Sequence, residues 1–96
     1  MKIVYRPHLK ERLKQRKIPT EYPKQIIESP EQEYFDTLAK RNIAIKKLFY
    51  EGSLRSMLVA YDIIKSTIEI VTIHVISSRE IKNKVRAGRW KKYEEN

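Results

Sequence analysis

His8, Arg12 and Arg16 stand four residues apart in the stretch PHLKERLKQRKIP. On a helix that spacing puts them in one slowly drifting stripe. A histidine can exchange a proton near neutral pH, and nearby cations favour the neutral imidazole, which is a base. A base beside cations suits acid–base chemistry on a polyanion. The plainer reading is a solvated basic face with an incidental histidine. Leu9 and Leu13 form a parallel stripe about 100° away. If those leucines face a sheet, the His–Arg–Arg stripe falls at the sheet's margin. His74 lies near the end of an apolar, strand-like run, TIEIVTIHVI. There a lone histidine reads as a hydrogen-bonded core residue. Two histidines without clustered carboxylates make a poor metal site, so no metal is expected.

The end of the chain supplies a second set. Arg79, Lys82 and Arg86 fall on one helical face, while Ile81 and Val85 share another. GRWKKY then interleaves Trp90 and Tyr93 with Arg89 and Lys91. Rings that stack on bases beside cations that meet phosphates suit nucleic acid. Alternatively, Trp90 packs on the sheet and the lysines only solubilise. Lys46 and Lys47 point to opposite strand faces, so one of them faces the less covered side.

The net charge is +9, and it is unevenly placed. Residues 1–17 carry +6, residues 79–92 carry +6, and residues 18–78 between them carry −1. Two like-charged segments that fold together repel unless an anion lies between them. Nucleic acid is the first candidate, an acidic protein the second, and an anionic membrane surface a distant third. No stretch approaches a membrane helix, and MKIVYRPHLK lacks the apolar core of a signal peptide. With no cysteine there is no disulfide framework. A cytoplasmic protein is expected.

These side chains must be positioned by one domain, 1–96, since 96 residues leave no room for a second. KIVY (2–5) is a short strand. A helix runs from His8 to Lys17, with Pro7 in its first turn. Thr20 can cap a second helix, Glu21 to Glu28, ended by the SP pair. Residues 31–38, 42–51, 54–65 and 67–77 read as strands. Their short separators make them antiparallel neighbours, and Gly52-Ser53 suits a hairpin. Strict alternation puts Ile68 and Ile70 on one face with His74, and Val71, Ile73 and Val75 on the other. A helix follows over 78–88, with Ser78 as N-cap and Gly88 as its stop. Residues 88–96 form a basic tail. The class is α+β: a compact antiparallel sheet of about four strands plus a short N-terminal strand, two N-terminal helices and one C-terminal helix.

The pattern H-L-x-E-R-L-x-Q-R-x-I (His8 to Ile18), the second helix ending in SP and the closing V-I-S-S-R-E resemble a small RelE/ParE-like toxin domain family. The ending HVISSRE…KKYEE is also similar to BrnT-type toxins. The resemblance implies helices packed on one face of the sheet. It implies a metal-independent ribonuclease of a toxin–antitoxin system, with no cofactor. Such an enzyme cleaves messenger RNA, free or ribosome-bound, by attack of the ribose 2′-OH, and a small antitoxin protein neutralises it. Carried over by motif, His8 is the acid–base residue, and Arg12, Arg16 and Arg79 grip phosphate; Lys47 and Tyr61 join them by strand order. Lys82, Arg86, Arg89, Trp90, Lys91 and Tyr93 would extend the nucleic-acid surface. The alternatives are a non-catalytic RNA- or DNA-binding module and a toxin aimed at a protein such as gyrase.

Overall fold

Turn chemistry sets the middle of the chain. The computed structural model describes residues 1–93, and its elements run β1 (Lys2–Tyr5), α1 (Pro7–Arg16), α2 (Tyr22–Glu28), β2 (Gln32–Asp36), β3 (Arg41–Tyr50), β4 (Ser53–Ile64), β5 (Thr67–Val75), α3 (Ser78–Arg86) and β6 (Trp90–Lys92). Glu51 and Gly52 both take positive φ, 51° and 82°, so the hairpin turn centres on them and Tyr50 pairs with Ser53. Two positive φ values match the right-handed twist of the flanking strands. Between β2 and β3, the Asp36 carboxylate accepts the N–H groups of Leu38 and Ala39 and closes the loop. With connections this short, β2 to β5 form the expected antiparallel meander.

The sheet is larger than expected. It has six strands in the order β1-β5-β4-β3-β2-β6, and it is mixed: β1 lies parallel to β5. Residues 90–92, expected in a tail, are a strand antiparallel to β2, with Asp36 opposite Trp90. Charge suggests a solvated tail there, but burying the indole outweighs it. Residues 94–96 of the expected tail lie outside the described residues.

Helices cover both faces, which corrects the expectation of helices on one. On one face Leu9 and Leu13 of α1 and Ile26 of α2 pack on Ala44, Met57, Val59, Tyr61, Ile70 and Ile73. On the other, Ile81 of α3 joins Ile76, Ile43, Ile45, Leu58 and Trp90. A bulge decides which side chains go where on β5. Ala60 pairs with Thr72 but Tyr61 pairs with Ile70, leaving Val71 as the extra residue. Ile70 and Ile73 therefore share the α1/α2 face, and Thr72 and His74 turn to the α3 face. This corrects strict alternation, which places His74 with Ile68 and Ile70. The α3 cap is one residue earlier than expected: the Ser77 hydroxyl accepts the Glu80 N–H while Glu80 reaches back to the Ser77 N–H. Gly88 ends α3 with φ 74°. At α2 the expected Thr20 cap is replaced by Glu21, without a side-chain cap bond. Among the described residues no helix is long and apolar enough to cross a membrane.

Candidate nucleic-acid interface

The opening stripe does lie at a sheet margin. β1 pairs with β5 only along Thr67–Ile70, which leaves the second half of β5 open on that side among the described residues. Helix α1 leaves β1 there, and its arginines fill the gap. Arg12 Nη1 donates to Thr72 Oγ1 at 2.8 Å, and Arg16 Nη1 donates to the Ile73 carbonyl at 3.3 Å. Arg12 thus reaches from the α1/α2 face to a side chain of the other. Each guanidinium has five N–H donors, and most have no hydrogen-bond partner among the described residues. His8, one turn before Arg12, is exposed and lines a shallow surface patch with Glu11, Arg12 and Gln15. No side-chain hydrogen bond orients it among the described residues.

Beyond Thr72, on the α3 face, lies an open groove of about 300 Å³ whose lining includes Thr72, His74, Glu80, Lys84, Arg89 and Trp90. His74 is half-buried, and its Nδ1 lies 3.0 Å from the Val75 carbonyl oxygen. A carbonyl only accepts, so in this contact Nδ1 is the donor, and Nε2 has no hydrogen-bond partner among the described residues. The acids in this groove already have partners. Burial alone would raise the Asp36 carboxyl, but the Ala39 N–H, Arg89, the Trp90 indole and the Leu38 N–H hold it below the ordinary carboxylate range. The N–H and hydroxyl of Ser77 do the same for Glu80.

The remaining expected residues do not form one constellation. Trp90 is 4% exposed, stacks on Tyr34 with ring centroids 5.5 Å apart, and donates Nε1–H to Asp36 Oδ2 at 3.2 Å. It is a core residue, and a base has no face of it to stack on; this corrects the expected role. Arg89 is tied to the same carboxylate at 3.3 Å. Tyr61 sits in the core on the α1/α2 face, where burial pushes its hydroxyl up to about 12, with Tyr93 and Glu33 adding to the rise. It is a poor base at neutral pH. Lys47 falls on the opposite face, in register with Ser56. The Ile76 N–H donates to the Ser56 carbonyl, so α3 starts beside that row. Arg79, Lys82 and Arg86 lie together along an exposed polar groove of α3 with Ser78 and Asn83. Lys91 and Tyr93 are exposed at β6 and just past it.

Two residues of the site escape sequence reasoning. Thr72 and His74 reach this face through a bulge that no glycine or proline announces. Asp36 has a local signal, since an aspartate before a short loop often closes a turn on its own backbone. No family model, curated protein or solved structure matches the chain.

Proposed function

We propose that this chain is a toxin-like RNA-binding protein of RelE/ParE-like kind that cleaves RNA without a metal ion, acting in the cytoplasm and restrained by a small protein antitoxin. The observation that carries this reading is that three consecutive residues of β5 carry the candidates: Arg12 bonds the Thr72 hydroxyl, Arg16 bonds the Ile73 carbonyl, and His74 follows. Two guanidinium groups with donors to spare could hold a phosphate and stabilise the charge of its transition state. An imidazole donating from Nδ1 could take the proton of a ribose 2′-OH at Nε2 as that oxygen bonds the adjacent phosphorus, and return it to the 5′-oxygen as the P–O5′ bond breaks. In this reading His74 takes the proton-transfer role in place of His8, since a backbone carbonyl meets its Nδ1 while no side-chain hydrogen bond holds His8 among the described residues. A non-catalytic RNA-binding module is the second reading, favoured by the burial of Tyr61 and the scatter of the other candidates.

The test is purified protein with single-stranded RNA in a chelator, followed by analysis of the product ends. Cleavage leaving 2′,3′-cyclic phosphate supports the proposal. His74→Ala then lowers the rate roughly 10²–10⁴-fold, the usual worth of a positioned proton-transfer group, while His8→Ala stays close to the parent. The reverse pattern returns the role to His8. Salt-sensitive binding with no cleavage selects the binding module.

A further inference from the structure

With Trp90 buried, the aromatic surface must come from elsewhere. Phe49 is 60% exposed and its cross-strand partner Leu54 is 68% exposed, so the pair projects at the tip of the β3–β4 hairpin. A phenylalanine left this open is worth explaining where side chains brace its backbone. The Phe49 carbonyl accepts the Tyr22 hydroxyl at 2.7 Å, and Arg55 Nε donates to the Tyr50 carbonyl at 2.9 Å. Side chains from α2 and β4 therefore brace the tip on both sides of the ring's attachment.

Its neighbours are cationic. Lys47 is two residues before Phe49 on the same strand face and is exposed. The Lys47–Ser56 row leads to the start of α3 through the Ile76–Ser56 bond, and from there Arg79, Lys82 and Arg86 continue along the helix. The nearby acids are Glu31, whose carboxylate accepts the Lys47 N–H at 2.8 Å, and Glu51 in the turn. An exposed ring at one end of a line of cations matches an unpaired base attached to a run of phosphates.

We infer that Phe49 is a stacking platform for an unpaired base of single-stranded RNA whose phosphates run past Lys47 onto the basic face of α3. This rests on the RNA reading above. It adds a strand path and a preference for unpaired over duplex RNA, because a paired base offers no free face. Leu54, directly across the strand pair from Phe49, would widen the apolar platform.

The experiment measures binding by fluorescence anisotropy. The probes are a short 2′-O-methyl oligouridylate, which cannot be cut by 2′-OH attack, and an abasic strand with equal phosphates. The parent protein binds the base-bearing strand more tightly. Phe49→Leu, which keeps apolar bulk but removes the ring, weakens that strand by about 5- to 100-fold. It leaves abasic binding and the salt dependence unchanged. Phe49→Trp retains affinity, and its new indole fluorescence is quenched on binding. If the parent binds with steep salt dependence but Phe49→Leu and Phe49→Ala match it, the stacking inference is overturned while the RNA reading stands; a protein-docking role for this tip gives that result. If the parent binds neither strand, both fall together.

Discussion

Residues 1–17 and 79–92 carry equal net charge, +6 each, yet the fold uses them differently. The first segment lies against an unfinished sheet edge. Arg6 is paired with Asp62 and Glu69, Arg12 holds Thr72, and Arg16 holds the Ile73 carbonyl. The second segment splits in two. Arg89 and Trp90 converge on Asp36 inside the fold, while Arg79, Lys82 and Arg86 line the outer face of α3. A cation becomes structural where an acceptor is within reach and stays available where the helix faces water. Charge density in the sequence does not distinguish these fates.

The largest expected effect tests the buried end of the second segment. Trp90→Ala removes a core indole and its stack on Tyr34, and should cost about 3–5 kcal/mol of stability. Chemical denaturation measures it. A variant that keeps its unfolding midpoint but loses RNA affinity would break the contrast, because Trp90 would then belong with the surface cations.

Next in size is the carboxylate that draws Arg89 and Trp90 inward. Asp36→Asn keeps the shape but removes the charge. It should cost about 2–3 kcal/mol near neutral pH, given the donors left poorly matched. The pH dependence sharpens the assignment. Asp36 has a folded-state pKa below its unfolded value, so its contribution is complete above about pH 4, where the unfolded aspartate ionises. It is lost as pH falls through the lower folded value. The stability gap between parent and Asp36→Asn should therefore narrow on acidification below about pH 4. A gap that is constant with pH would mean that the carboxylate's charge is not what holds this corner.

Much of the fold is legible in the sequence because its signals are local. Leu9 and Leu13 at helical spacing, Gly52 at a hairpin and Gly88 after a helix each act within a few residues, and the structure follows them. What escapes depends on distant partners. β1 meets β5 across the length of the meander, and β6 forms because Trp90 finds Tyr34 and Asp36 more than fifty positions away. The site is legible in part for the same reason. The arginine stripe and its place at the sheet margin follow from helical spacing. The turn of His74 toward the α3 face follows from a bulge at Val71 that periodicity cannot foresee.

The smallest effect separates the two surviving sets of cations. Arg12→Ala removes a charge-assisted hydrogen bond that docks α1 on β5. It should cost about 1 kcal/mol of stability and weaken RNA binding as well. Lys82→Ala and Arg86→Ala touch nothing that holds the fold among the described residues. Each should leave stability within about 0.5 kcal/mol, as surface substitutions do. Their effect should appear instead in salt titrations of single-strand affinity. For every phosphate the variant no longer neutralises, the slope of log K against log salt becomes shallower by about 0.7. Thermal melts beside salt titrations therefore sort the cations by use: Arg12 moves both readouts, and Lys82 and Arg86 move only the second. If Lys82→Ala lowers the melting temperature as far as Arg12→Ala does, the outer face of α3 is structural too. The proposed RNA path would then be confined to the β5 edge.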